Sequence, residues 1–202
     1  MSGRPALFLD RDGVINHDAG YTHRIADFAF RDGIFDLCSA AQARGMALVV
    51  VTNQAGIGRG LYTEADFGVL TEWMLARFAE RGIAITGVEH CPHHPAAGIG
   101  AYRRDCPRRK PGPGMILDAS AAHGLDPARS VMVGDKASDM QAAQAAGIGT
   151  RILLTDAPEE AAAAPPGTLV LPDGALREAA AIVAALPMEL RDRREDQDDA
   201  RS

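Results

Sequence analysis

Leu7-Phe8-Leu9-Asp10-Arg11-Asp12-Gly13 runs from three apolar side chains straight into two carboxylates and a glycine. An apolar run with that ending reads as a buried strand that delivers charge to its own C-terminal edge. Open α/β sheets bind ligands at that edge. Side chains two apart on a strand share a face, so Asp10 and Asp12 are expected to leave the sheet side by side while Arg11 points away. Carboxylates held this close want a cation beside them. Alone, the stretch reads equally well as a strand end with solvated acids, so the question is whether the pattern recurs.

It recurs twice. Ala47-Leu48-Val49-Val50-Val51-Thr52-Asn53-Gln54 is again a continuous apolar run closed by polar groups, and Val131-Met132-Val133 ends in Gly134-Asp135-Lys136, with a helix carrying Asp139 just after. Runs without alternation are strands covered on both faces, the signature of a parallel sheet. The intervening segments supply the cover. Residues 33–44 place Ile34, Leu37, Cys38 and Ala41 at helical spacing, with Cys38 as core. Thr63 with Asp66 opens a second helix whose stripe of Phe67, Leu70, Trp73, Met74 and Phe78 is packing. Residues 55–60 read as a flexible loop, and Ile83 to Glu89 as a short strand. Residues 90–113 form a long proline-rich loop holding Cys91 and Cys106, and a loop of that length tends to be functional or metal-tied. A helix over residues 114–123, strands over 149–154 and 168–171 either side of an Ala/Pro segment, and a final helix over 176–186 complete the pattern.

The expected fold is therefore α/β, a doubly wound, Rossmann-like parallel sheet flanked by helices, in one domain over residues 1–188. Residues 189–202 are a charged tail expected to be disordered. Right-handed crossovers put every strand C-terminus on one edge, where Asp10, Asp12, Thr52, Asn53 and Asp135 can meet. The 202 residues carry a net charge of −6 and three cysteines. That leaves no basic footprint for nucleic acid and no disulfide framework. The N-terminus runs directly into the first strand without a signal peptide, and no apolar run approaches the ~20 residues of a membrane span. A soluble, cytoplasmic monomer is expected.

Three carboxylates suit Mg²⁺, a hard cation that favours a phosphate partner, and Thr52 and Asn53 offer neutral donors to phosphoryl oxygens. A carboxylate attacking phosphorus would give an aspartyl-phosphate. Like charges 4 Å apart repel by about 1 kcal/mol in water and about 4 kcal/mol at an effective dielectric of 20, so the attack needs positive charge nearby. The dense basic cluster Arg108-Arg109-Lys110 can supply it, stiffened by Pro111 and Pro113.

Asp10-Arg11-Asp12-Gly13, Val51-Thr52-Asn53-Gln54, Arg109-Lys110-Pro111 and Gly134-Asp135-Lys136 with Asp139 together resemble, in this order, the four motifs of the haloacid dehalogenase (HAD) superfamily of phosphohydrolases. More narrowly, Asp18-Ala19-Gly20-Tyr21, the run from Val51 to Ile57 and Cys91-Pro92-His93-His94-Pro95 are similar to the branch that removes the 7-phosphate of D-glycero-D-manno-heptose 1,7-bisphosphate. That reaction belongs to ADP- or GDP-heptose precursor synthesis for lipopolysaccharide core or S-layer glycan. The likeness runs from about Ala6 to Leu154. It implies Asp10 as nucleophile and Asp12 as general acid and base, with Asp10, the Asp12 carbonyl and Asp135 on Mg²⁺. Thr52, Asn53 and Lys110 would hold the transferring phosphoryl group, with Arg109 and Lys136 positioning substrate. Asp18, Ala19, Gly20 and Tyr21 would contact the sugar, and Gln54 and Ala55 would also bind substrate. The intervals between motifs leave no room for a cap domain. The resemblance also implies a zinc loop, but only Cys91, His93 and Cys106 are present and Arg108 stands at the fourth ligand's position. The zinc would then be absent, or completed by His90, His94 or water. A histidinol-phosphate phosphatase and a non-catalytic phosphosugar-binding protein are the competing readings.

Overall fold

Along the first strand, Leu7 and Leu9 pack into one layer of helices while Ala6 and Phe8 pack into the other, all four fully buried. The strand is β1 (Ala6–Leu9), and its neighbours are β2 (Ala47–Asn53) and β4 (Val131–Gly134), with β3 (Gly87–Cys91), β5 (Thr150–Leu154) and β6 (Leu169–Leu171) outside them. The computed structural model, which describes residues 3–187, orders the sheet β3-β2-β1-β4-β5-β6 with every pair parallel. The chain winds outward from β1 to β3, then returns to β4 and winds the other way. The switch point beside β1 is where such sheets form a ligand crevice.

Helices α1 (Ile34–Ala43), α3 (Glu64–Ala79) and α7 (Leu176–Ala185) cover one face, and α4 (Gly114–His123) and α5 (Ala137–Ala145) the other. Each Leu or Phe removed from water on these faces contributes about 1.5–3 kcal/mol. Thr63 caps α3 as its sequence suggests: its hydroxyl accepts from Asp66 N–H at 3.1 Å and the Asp66 carboxylate accepts from Thr63 N–H at 2.8 Å. Phe28, Phe30, Trp73 and Phe78 pack edge-on and stacked beside it, so the aromatic stripe is core. Cys38 is buried in α1, where burial pushes its thiol up to about 12. Between β1 and β2 the chain makes loops, a short turn at Ile25–Asp27 and α1, with no inserted domain.

Three local expectations are corrected. Residues 55–60 are not a loop throughout, since Ala55–Gly58 forms the short helix α2. Its glycines hid it, and they are there because a Cβ at Gly56 would lie 2.1 Å from the Tyr62 ring and one at Gly58 2.3 Å from the Pro92 carbonyl. The third strand begins at Gly87 and ends at Cys91 rather than spanning 83–89. It is an edge strand with one neighbour, so polar Glu89 and His90 are tolerated there, while Ile83 is buried as the chain approaches. The Ala/Pro segment contains α6 (Pro158–Ala163), with proline at the first turn where no N–H is needed. The charged tail lies outside the described residues.

Candidate active site

The C-terminal ends of β1, β2 and β4 open into a cavity of about 570 Å³, within the range typical of small-molecule sites. At its floor Lys110 reaches in from the long loop. Its ammonium lies 2.8 Å from Asp10 Oδ1 and 2.7 Å from Asp139 Oδ1, and it donates to the Val51 carbonyl at 2.9 Å. Burial would strip its proton, but the two carboxylates outweigh burial and raise its pKa. Asp10 is driven the other way. Burial raises it, Lys110 pulls it back, and Asp139 and Asp12 push it up again, to about 6. Asp135 is raised to about 8, first by burial and then by Asp10 and Asp139.

Carboxylate oxygens of Asp10, Asp135 and Asp139 lie within 4.8 Å of one another, and Asp135 Oδ1 is buried without a hydrogen-bond partner. Crowded, protonation-prone acids with an orphaned oxygen are what a divalent cation would relieve, so this donor set fits Mg²⁺. Gly13 makes room for it: at φ +91° its missing Cβ would fall 2.4 Å from Asp135 Oδ2. Asp139 was named in the sequence only as a trailing motif residue. Its second oxygen accepts from Lys136 N–H at 3.1 Å, which fixes the start of α5.

Asp12 is held from behind. Arg11 does turn from Asp10, yet not to solvent: it is 1% exposed, and its Nη2 donates to Asp12 at 2.8 and 2.9 Å and to the Thr22 carbonyl at 2.6 Å. Asn16 and Gln54 donate to Asp12 at 3.0 and 2.9 Å. Gln54 also donates to Thr52 Oγ1 at 2.8 Å and accepts from Tyr62 at 2.5 Å. Both its N–H groups are therefore committed to Asp12 and Thr52, although Gln54 was expected to bind substrate and does line the cavity. Thr52 is left with its own hydroxyl hydrogen free for a ligand.

Asn53 lines the cavity and has a second task. Its side-chain oxygen accepts from Lys110 N–H at 3.0 Å and its Nδ2 donates to the Lys110 carbonyl at 3.1 Å. This two-point clamp carries the loop onto the end of β2 and leaves one N–H for the cavity. Asp18, Gly20, Tyr21, Ala55, Arg109 and Lys136 line the cavity, whereas Ala19 is exposed and does not. Arg59, Tyr62, His94 and Ser138 line it too; the sequence reading named His94 only in its motif and as a possible zinc ligand, and missed the other three.

Donor atoms of Cys91, His93 and Cys106 also lie within 4.8 Å of one another. Burial raises the Cys91 thiol to about 11, and burial together with Arg104 lowers His93, keeping it neutral. No fourth protein ligand joins them among the described residues. Arg108 turns away to Glu89 and Asp118. His90 pairs with Glu64 at 2.8 Å, and His94 Nδ1 accepts two backbone N–H groups, from Ala96 and Ala97. The set fits three bonds to zinc but not the closed four-ligand structural site.

Residues 107–179 match the HAD-hydrolase-like family model. Over 151 residues, 75% of the chain, the sequence is 54% identical to D-glycero-beta-D-manno-heptose-1,7-bisphosphate 7-phosphatase of Vibrio cholerae, covering 81% of that protein. It is 56% identical over the same length to the D-glycero-alpha-D-manno-heptose-1,7-bisphosphate 7-phosphatase of Burkholderia mallei, covering 80% of it. Among solved structures, D,D-heptose 1,7-bisphosphate phosphatase from B. bronchiseptica, complexed with magnesium and phosphate, superposes with a TM-score of 0.76 at 29% identity, covering 89% of this chain and 98% of that one.

Proposed function

Because the chain belongs to the HAD-like family of heptose-1,7-bisphosphate 7-phosphatases, we propose that it hydrolyses the 7-phosphate of D-glycero-D-manno-heptose 1,7-bisphosphate in the cavity above Asp10. The observation that carries this reading is Asp10 paired with the buried Lys110 ammonium beside a separately anchored Asp12. A binding protein gains nothing from a nucleophile set next to an acid/base group, which argues against the non-catalytic reading.

Asp10 attacks the phosphorus and the sugar alkoxide leaves with a proton from Asp12. Asp12, still held by Arg11, Asn16 and Gln54, then takes a proton from the water that cleaves the aspartyl-phosphate. Lys110 and the Thr52 hydroxyl meet the charge that builds on the phosphoryl oxygens. Mg²⁺, held by Asp10, Asp135 and the Asp12 carbonyl with Asp139 close by, would supply charge neutralisation between carboxylate and phosphate. Zinc would be held by Cys91, His93 and Cys106 with solvent in the fourth position, tying the loop to the end of β3. No helix of the described residues is long and apolar enough to cross a membrane, and a cytoplasmic location is proposed with the nucleotide-heptose role.

Phosphate release from both anomers of the bisphosphate, from histidinol phosphate and from simple sugar monophosphates tests the assignment. A heptose bisphosphate is expected to give the highest kcat/KM. Equal turnover of the panel overturns the substrate, and a preference for histidinol phosphate replaces it.

A further inference from the structure

The four cationic side chains lining the cavity fall into two kinds. Lys110 is paired with Asp10 and Asp139, and Lys136 has Asp18 at 3.8 Å. Arg59 and Arg109 have no carboxylate partner among the described residues. Arg109 donates to the His93 carbonyl at 3.2 Å, and Arg59 donates to the Tyr21 hydroxyl. Two guanidinium groups without a counter-charge, on the wall of one cavity, suit an anion that can be gripped by planar, multi-donor groups. The carboxylates at the floor would repel a second anion there, so any second anion must sit at the rim.

Arg59 is also aimed. It follows α2, which packs so closely that neither Gly56 nor Gly58 could carry a Cβ: the first would meet Tyr62 and, at 2.9 Å, Tyr21, the second the Pro92 carbonyl. Its guanidinium carbon lies 5.3 Å from the centroid of the Tyr21 ring. Tyr21 is the one non-glycine residue at positive φ among those described, +54°. Such a conformation costs of order 1–3 kcal/mol and is held where ligands are clamped. The contact joins the loop after β1 to the end of α2 across the cavity mouth.

We propose that Arg59, stacked on Tyr21, is a specificity-determining residue that binds, together with Arg109, the phosphate of the substrate that is not transferred. This rests on the bisphosphate reading above. The reacting phosphate would sit over the Asp10–Lys110 pair, and the far phosphate would meet the two unpaired guanidinium groups. With no inserted domain to enclose the sugar, this pair selects for a second phosphate at the open end.

The test compares the Mg²⁺-loaded enzyme with Arg59→Ala and Arg59→Lys on heptose 1,7-bisphosphate and on heptose 7-phosphate, which differ only in that second phosphate. A charged hydrogen bond is worth about 1.5–3 kcal/mol, so the KM advantage of the bisphosphate is expected to shrink by roughly 10- to 100-fold in Arg59→Ala. The loss should sit in KM, with partial recovery in Arg59→Lys. Tyr21→Phe, which keeps the ring and removes the hydroxyl, should show a smaller change of the same kind. An unchanged KM ratio in Arg59→Ala, while the wild type still prefers the bisphosphate, overturns this inference and leaves the function standing. A wild type indifferent to the second phosphate overturns both.

Discussion

The Gln54 side chain makes three hydrogen bonds within the protein, and the residue is 1% exposed. Its side-chain amide donates to Asp12 and Thr52, and we propose that it aims them. Misplacing a catalytic group by about 1 Å can cost about 10²-fold in rate. Gln54→Leu is therefore expected to lower kcat by roughly 10- to 100-fold with a small change in KM, measured by steady-state phosphate release. A dominant KM effect would instead make Gln54 a sugar contact, as its motif suggested. Asp10→Asn should abolish turnover and leave far-UV circular dichroism unchanged, because the amide is nearly isosteric but cannot attack phosphorus. At this scale the sequence was legible in where residues gather, since Asp10, Asp12 and Lys110 line one cavity. It was not legible for Gln54 and Asn53, whose amides could face ligand or protein, and only their neighbours in space decide which.

Among the elements, the loop over residues 92–113 decides whether the site is assembled, since it brings Lys110 to β1 and β2. Besides the Lys110 ammonium and any metal, the Asn53 clamp on the Lys110 backbone and the Arg108 pairs with Glu89 and Asp118 help to fasten it. Asn53→Ala unpairs a backbone N–H and a carbonyl beside a buried ammonium. It is expected to destabilise the protein by about 1–3 kcal/mol and to depress kcat, read by denaturant titration and turnover together. Arg108→Ala breaks partly exposed ion pairs and should cost less than about 1 kcal/mol. Arg108→Cys offers a third thiolate as the fourth ligand beside Cys91, His93 and Cys106, and zinc content per chain, measured by elemental analysis after dialysis, is expected to rise above that of the wild type. The loop's existence was plain from its prolines and cysteines. Its fastening was not, because Arg108 reaches residues 19 positions back and 10 ahead.

For the whole molecule, acids crowded at one sheet edge link stability to pH and to cations. Asp10 and Asp135 titrate at about 6 and about 8 in the fold, against 3.8 ordinarily. A folded-state pKa above the unfolded one gives stability that is fully present below pH 4 and lost as pH rises through the folded values. The cation-free protein should thus lose thermal stability between pH 5 and pH 8. Mg²⁺ should restore it, with a larger gain at pH 8 than at pH 5. At a hundredfold excess over Kd the gain is about 2.7 kcal/mol, or roughly 5–10 °C for a chain of this size. Differential scanning fluorimetry with and without Mg²⁺ at the two pH values reads it, and equal gains at both would show that these acids do not share an ion.

The sequence by itself determined the parallel sheet and the edge on which Asp10, Asp12, Thr52, Asn53 and Asp135 gather. Those follow from apolar runs with polar ends, a short-range pattern that survives without knowledge of partners. Only the tertiary structure decided which polar groups face the cavity and which brace it. It placed Gln54 behind Asp12, set Asn53 on the Lys110 backbone, turned Arg108 from the cysteines and laid Arg59 on Tyr21. Each of these depends on side-chain direction after the chain has turned, and on partners up to 57 residues away. A one-dimensional pattern does not encode that geometry.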